Sequence, residues 1–296
     1  MNPSTSPRRY LDPALIQKIS ALELAARRAV EGVRVGMHRS TLKGFSTEFA
    51  QHRPYMPGDN IKDVDWRVYG RSQRYYVKLW EAETNFTAHL LLDASSSMQY
   101  ASGKLSKLDC AKYLAAALAF LIVKQNDSVG LAVFDSTLRK YVEPKSSTQI
   151  IVDIAVELEG TGVQPRTDVG AILHEFARRI KQRGFVILLS DLLDSVDDFL
   201  LGLEHLRYRG HNVIVFHILD PYELELPMRG AWKFKSLEGS EELIAQPRRI
   251  RDSYLAELDK LLKRIKSACD RCRVEYVLVN TAKPLGAVLS QFLAAR

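Results

Sequence analysis

The residues Asp93-Ala-Ser95-Ser-Ser97 follow a largely apolar run at 86–92 and place the carboxylate of Asp93 and the hydroxyls of Ser95 and Ser97 at alternate positions. The apolar run has the composition of a buried strand, so these side chains are expected at the end of that strand. Carboxylate and hydroxyl oxygens are hard donors, which suit magnesium better than zinc or copper. A match this short arises easily by chance, so a metal site here requires further oxygen ligands from elsewhere in the chain.

Two further oxygen ligands are expected from distant segments. Asp191 ends a predicted strand at 184–191, and Thr167 stands just before a predicted helix at 168–182. In a doubly wound sheet the first strand and the strand that begins the second half are neighbours, and ligands bind at their carboxyl ends. The sequence therefore predicts one Mg²⁺ site, with Mn²⁺ or Ca²⁺ as alternatives, formed by Asp93, Ser95, Ser97, Thr167 and Asp191.

Helix capping is the competing interpretation of these residues. Asp, Ser and Thr are all favoured at helix N-caps, so capping explains each residue separately but not their convergence. Hydroxyl ligands carry no charge and leave a bound cation under-neutralised. A carboxylate from a partner protein could then complete the metal shell, which would make the site a docking point rather than a catalytic one.

The elements that must position these residues alternate between strands and helices from residue 86 onward. Apolar runs on both strand faces are typical of a mostly parallel sheet covered by helices, and the short link at 135–137 makes its two flanking strands antiparallel neighbours. We predict an α/β fold with a doubly wound six-stranded sheet. Its strands are 86–93, 128–134, 138–143, 184–191, 212–219 and 273–280, and its helices are 105–124, 147–158, 168–182, 196–208, 251–271 and 284–295.

The chain is expected to contain two parts. Residues 1–84 would hold a helix at 12–35 and a small β-containing segment with a strand at 75–81. Residues 85–296 would form the sheet domain, interrupted by a polar excursion at 221–250. A hydrophobic fraction of 46% in 296 residues is sufficient for this amount of core.

Composition favours a cytoplasmic protein. Three cysteines cannot form a disulfide framework, the N-terminus lacks the apolar core of a signal peptide, and no window is long enough for a membrane span. Cys269-x-x-Cys272 has neither a second pair nor a nearby His to complete a zinc site. The net charge of +7 is attributed to a solvated basic face, since no nucleic-acid-binding motif accompanies it.

The full set of five site residues resembles the metal-ion-dependent adhesion site of von Willebrand factor A domains. The preceding segment resembles the "domain of unknown function 58" family. The matching residues are Gly36-Met-His38-Arg-Ser40, Lys43-Gly44-Phe-Ser46-x-Glu48-Phe49, Arg53-x-Tyr55-x-Pro57-Gly58-Asp59, Asp65-Trp66, Arg71 and Tyr76-Val77-Lys78. The resemblance covers nearly the whole chain and implies a Rossmann-like, von Willebrand factor A-like sheet domain.

The same resemblance implies a non-enzymatic partner of a MoxR-type AAA+ ATPase. Such a partner would help the ATPase to assemble or remodel a client protein, and an acidic side chain of the client would complete the metal shell. The sequence contains no phosphate-binding loop motif, so ATP binding and hydrolysis are assigned to the ATPase.

An enzymatic alternative is a magnesium phosphohydrolase with Asp93 as the nucleophile, because an Asp at the end of the first strand can accept a phosphoryl group. Such enzymes need a second acid two residues later, and that position is Ser95. A serine hydroxyl is not an effective general acid near neutral pH, so the interaction module is favoured.

Overall fold

The computed structural model describes residues 47–57, 59, 64–82, 86–163, 168–193, 195–235 and 242–294. These residues divide into a smaller unit within 30–85 and a larger unit from residue 86 onward. The helix predicted at 12–35 lies outside the described residues. Residues 83–85, beside the predicted domain boundary, also lie outside them, so the division into 1–84 and 85–296 stays a prediction.

The smaller unit contains an antiparallel pair of strands, β1 (Thr47–Pro54) and β2 (Tyr76–Ala82), with a short helix α1 (Trp66–Ser72) between them in sequence. Helix α1 begins at Asp65, whose Oδ1 accepts hydrogen bonds from the backbone of the first turn. The β-strand predicted at 75–81 is confirmed as β2.

The larger unit is organised around a six-stranded sheet. Its strands are β3 (Thr87–Asp93), β4 (Ser128–Phe134), β5 (Leu138–Lys145), β6 (Phe185–Ser190), β7 (Asn212–Leu219) and β10 (Glu275–Asn280). Their spatial order is β10-β7-β6-β3-β4-β5, and every neighbouring pair is parallel except β4 and β5. The predicted doubly wound, mostly parallel α/β fold is therefore confirmed, including the antiparallel pair at one edge.

Helices connect these strands and cover both faces of the sheet. They are α2 (Lys107–Lys124), α3 (Gln149–Gly160), α4 (Val169–Arg179), α5 (Val196–Tyr208), α6 (Pro221–Glu225), α7 (Pro247–Arg271) and α8 (Leu285–Ala294). One core cluster joins α4, α5 and α7 to alternate strand residues such as Leu91 and Leu188. On the other face α2 packs against the sheet, and Phe292 of α8 meets Phe216 of β7 at 5.2 Å between ring centroids.

The strand order has a direct consequence for the predicted site. Strand β3 lies between β4, the next strand in sequence, and β6, which begins the second half of the sheet. The winding therefore reverses at β3, and the carboxyl ends of β3 and β6 are the position at which doubly wound sheets bind ligands. Leu92 of β3 pairs with Leu189 of β6. The residues that come directly after the two strands therefore lie at the same height along the sheet.

The excursion predicted at 221–250 has more structure than its polar composition indicates. It contains α6 and an antiparallel hairpin of β8 (Trp232–Lys235) and β9 (Glu242–Ala245). Helix α7 begins at Pro247, four residues before the predicted start, because proline is tolerated at the first position of a helix. Across the described ranges, no helix combines the length and apolar character needed to cross a membrane.

Candidate metal centre

Asp93 is held at the end of β3 with both of its carboxylate oxygens engaged. The backbone N–H of Ser95 donates to Oδ1 at 2.9 Å, and the hydroxyl of Ser190 donates to Oδ2 at 2.6 Å. The side chain is fully buried. Because Ser190 ends β6, this second hydrogen bond ties together the two strands on which the predicted site depends.

The two predicted hydroxyl ligands lie in the turn that follows Asp93. Ser95 Oγ and Ser97 Oγ are 3.0 Å apart, and both residues are buried. A short 3-10 helix runs over Ser96–Gln99, and Ser95 precedes it without making a side-chain capping hydrogen bond. The hydroxyls of Ser95 and Ser97 are therefore directed at each other rather than consumed in capping.

Asp191 follows β6 directly and is also fully buried. Its Oδ2 accepts a 2.8 Å hydrogen bond from Lys107 Nζ, whereas Oδ1 has no hydrogen-bond partner among the described residues. An unsatisfied carboxylate oxygen is costly in the protein interior. Its burial beside the other predicted ligands is the feature of the structure that most directly fits a cation.

Capping does not account for Asp191 or for the motif residues, because the neighbouring helices have other caps. Ser106 caps α2 in a capping box with Asp109, and Ser195 caps α5. Asp168 caps α4 through a 2.8 Å hydrogen bond from the backbone of Ala171. The predicted ligand Thr167 lies outside the described residues, so its place in the site stays a prediction.

The electrostatics of the site also favour a cation. Burial, together with the negative charge of nearby Asp191, raises the pKa of Asp93 to about 7. Two carboxylates in a dry environment repel each other, and a positive charge between them removes this cost. Carboxylate and hydroxyl oxygens are also the donor types that a hard divalent cation prefers, so the residues present fit Mg²⁺.

The proposed donor set differs from a site built from clustered acids and imidazoles. The described residues hold no group of three or more His, Cys, Asp or Glu side chains arranged around one metal position. The set at the sheet edge contains two carboxylates, and neutral hydroxyls supply its other described oxygens. Such a set offers a divalent cation only the two negative charges of Asp93 and Asp191.

The structure adds a buried lysine that the sequence did not indicate. Lys107 begins α2, has no exposed surface, and places Nζ 2.8 Å from Asp191 Oδ2 and 2.6 Å from Glu223 Oε1. Burial alone would lower the pKa of Lys107, but the two carboxylates outweigh this and raise it, so the side chain is an ammonium ion. A lysine at the start of a helix ordinarily points into solvent, and no spacing in the sequence marks this one as different.

A strained turn fixes the loop that carries Asp191. Leu192 is buried and has a left-handed backbone with φ of 48°, a conformation that costs a bulky residue about 1–2 kcal/mol. Its backbone N–H donates to Ser190 Oγ at 3.0 Å, and His217 Nε2 lies 2.8 Å from the carbonyl oxygen of Asp191. These contacts keep Asp191 facing inward immediately after the strand ends.

Comparison with known proteins identifies a family match over most of the chain. A sequence model of the family described as "Protein of unknown function DUF58" matches residues 51–261. Uncharacterized proteins of Mycobacterium tuberculosis and Mycobacterium bovis are 26% identical over 219 residues, which is 73% of this chain and 68% of each relative.

Solved structures with a similar arrangement are distant in sequence. An aerotolerance-related membrane protein from Bacteroides fragilis has a TM-score of 0.48 at 18% identity, and BatB from Bacteroides thetaiotaomicron has 0.46 at 17%. Each comparison covers 71% of this chain and 100% of the other. The SpRpn10 VWA domain has a TM-score of 0.40 at 10% identity, over 70% of this chain and 95% of the other. These scores are too low to establish a relationship, and the fold class follows from the strand order of this chain itself.

Proposed function

The chain belongs to the DUF58 family of proteins of unknown function, and on this premise we propose that it is a non-enzymatic, metal-dependent protein-interaction module. The observation that carries the proposal is the buried pair Asp93 and Asp191 beside the Ser95 and Ser97 hydroxyls at the switch point of the sheet. Open α/β sheets bind their ligands at this position.

The chemistry of the site favours docking over catalysis. Asp93 and Asp191, with the hydroxyls of Ser95 and Ser97, would hold a Mg²⁺ ion, and Thr167 is proposed to join them. When bound, the ion would supply a Lewis-acidic position for an oxygen ligand. Because the hydroxyls contribute no charge, a carboxylate from a client protein is the ligand best suited to that position.

A phosphohydrolase receives less support from the same geometry. Both carboxylate oxygens of Asp93 already accept hydrogen bonds, which reduces their nucleophilicity. The acid/base position two residues later is the hydroxyl of Ser95, which contacts Ser97. A test with a generic phosphate ester separates the two functions, since turnover that disappears in Asp93→Asn would establish the enzyme.

The proposed partner is a MoxR-type AAA+ ATPase. This part of the proposal is supported by the sequence resemblance of residues 36–78, and it assigns ATP hydrolysis to the partner and client docking to this chain. The complex between this chain and its client is therefore expected to depend on the divalent cation, because the client is held through the metal centre.

Metal binding is the first test of the proposed function. Isothermal titration with Mg²⁺ should show weak binding to the unaltered protein and no binding to Asp93→Ala or Ser95→Ala, with the fold verified by circular dichroism. Ser136→Ala is the matched control, because Ser136 is an exposed serine in the turn between β4 and β5, at the carboxyl end of β4. Equal binding in all four proteins would show that the metal centre is wrongly assigned.

The partner is tested by affinity capture. The protein is immobilised and exposed to a MoxR-type ATPase encoded beside its gene, in the presence of ATP, ADP or no nucleotide, with and without a chelator. Retention in at least one nucleotide state is expected. Failure in every state would reject the adaptor role while leaving the metal centre to be judged by titration.

A further inference from the structure

A buried ammonium ion lies in direct contact with the proposed metal centre. Lys107 Nζ contacts Asp191 Oδ2 at 2.8 Å, and both side chains are almost completely inaccessible to solvent. A lysine is seldom fully buried unless it is paired. Its position is unexpected in a cation site, because a fixed positive charge opposes the binding of a second one.

Lys107 is held from its other side by Glu223. The two are 2.6 Å apart, Glu223 Oε2 accepts a hydrogen bond from the backbone of Asp220 at 2.8 Å, and the hydroxyl of Tyr254 donates to the Glu223 carbonyl at 2.7 Å. Glu223 lies in α6 and Tyr254 in α7. The ammonium is therefore fixed between the metal centre and the elements that follow β7, and it cannot rotate into solvent as a surface lysine would.

The charges of these side chains determine what the site can bind. Above about pH 7, where Asp93 is ionised, the carboxylates of Asp93, Asp191 and Glu223 bring three negative charges. Lys107 brings one positive charge, which leaves a net charge of −2. A divalent cation neutralises this set. Without the ammonium the same carboxylates would carry −3 and would hold the cation more tightly, because the attraction between charges is strong where water is excluded.

We propose that Lys107 is an internal counter-ion that limits the affinity of the metal centre for divalent cations. This inference rests on the proposed metal-dependent function. It assigns Lys107 an electrostatic role and makes Glu223 its regulator, since the carboxylate of Glu223 offsets the ammonium. Lys107 then weakens metal binding and Glu223 strengthens it, so the affinity of the site depends on the balance between these two charges.

A purely structural ion pair is the competing explanation. Buried pairs can be replaced by uncharged residues of similar volume with little loss of stability, whereas removal of one partner alone is costly. A structural pair would affect folding and leave the intrinsic metal affinity of the folded protein unchanged. The two explanations are therefore separated by affinity measurements on variants that alter the site charge in both directions.

The experiment compares four full-length proteins by Mg²⁺ titration calorimetry at pH 8, where Asp93 is ionised. The site charge is −2 in the unaltered protein, −3 in Lys107→Met, −1 in Glu223→Gln, and again −2 in the double variant Lys107→Met/Glu223→Gln. Relative to the unaltered protein, Kd should fall about tenfold or more in Lys107→Met and rise about tenfold or more in Glu223→Gln. The double variant should bind within about threefold of the unaltered protein, because its site charge is the same.

Folding is followed separately by thermal unfolding in a chelator. If Lys107→Met does not fold, Glu223→Gln and the double variant still test the inference, since the first retains the lysine and the second removes both charges together. An unchanged Kd in Glu223→Gln, or a double variant that binds no more tightly than Glu223→Gln, would overturn the counter-ion role. Asp93→Ala separates this inference from the proposed metal-dependent function. If Asp93→Ala abolishes Mg²⁺ binding while the four proteins of the charge series bind equally, only the counter-ion role of Lys107 fails.

Discussion

Asp93→Asn should stabilise the metal-free protein while abolishing its response to Mg²⁺. The substitution keeps the size of the side chain and allows hydrogen bonds to Ser95 and Ser190, but it removes a buried negative charge close to Asp191. The pKa of Asp93 is raised from 3.8 to about 7, by burial first and by Asp191 second. At about 1.4 kcal/mol per pKa unit, the ionised carboxylate costs the native state about 4 kcal/mol.

The pH dependence of this gain follows from the direction of the shift. A carboxyl group whose pKa is raised on folding contributes stability that is fully present below its unfolded value and lost as pH rises through the folded value. In a chelator the advantage of Asp93→Asn should therefore grow between about pH 4 and pH 7 and remain constant above pH 7.

Urea unfolding measures both parts of this prediction. The free energy of unfolding is compared for the two proteins at pH 5 and pH 8 in a chelator, and again at pH 8 with Mg²⁺. Saturation at 100 times Kd should stabilise the unaltered protein by about 2.7 kcal/mol and leave Asp93→Asn unchanged. A variant that is no more stable than the unaltered protein at pH 8, or that keeps the Mg²⁺ response, would refute the reasoning.

Two further predictions concern the sheet domain away from the metal centre. Burial, with a smaller contribution from His211, lowers the pKa of His89 to about 4. The free energy of unfolding should therefore fall by about 3 kcal/mol as pH decreases from about 6.5 to 4. Urea unfolding of His89→Leu should show a smaller decrease over the same pH range, and an identical pH profile would contradict this prediction. Gly202→Ala should destabilise by about 1–3 kcal/mol despite its better helix propensity, because a Cβ there would lie 2.7 Å from Leu173 Cβ. Gly286→Ala is its control, since a Cβ at Gly286 meets nothing within 4 Å, and equal unfolding midpoints for the two variants would contradict the close packing of α4 and α5.

The sheet could be predicted because its sequence signals are local and its topology obeys general rules. Helix α5 and strand β7 occupy the predicted ranges 196–208 and 212–219. Apolar residues on both faces of β6 and β7 predicted a covered parallel sheet, and both strands are buried. The β8–β9 hairpin was not predicted, because its strands are only four residues long and largely exposed. The alternation of apolar and polar residues in Trp232–Lys235 is too short to indicate a strand by itself.

The convergence of the candidate site residues could be predicted in part for the same reason. Asp93 and Asp191 each end a recognisable strand, and the rule for doubly wound sheets brings those strand ends together. Lys107 and Glu223 could not be predicted, because each lies in the first turn of a helix, where a charged residue is ordinarily solvated. Their pairing depends on how α2 and α6 pack against the ends of β6 and β7, and that packing has no sequence period.

The weak affinity expected of the metal centre follows from two features that act together. Ser95 and Ser97 supply ligands without charge, and Lys107 neutralises one of the nearby carboxylates. A permanent structural metal would be better held by a set of charged ligands. A docking site instead requires an incomplete coordination shell, which the carboxylate of a partner then completes. The ion pairs with Asp191 and Glu223 offset the desolvation cost of burying Lys107. Weak metal binding is therefore compatible with a stable fold. Both the ligand types and the buried ammonium of this site are thus suited to the reversible docking that we propose.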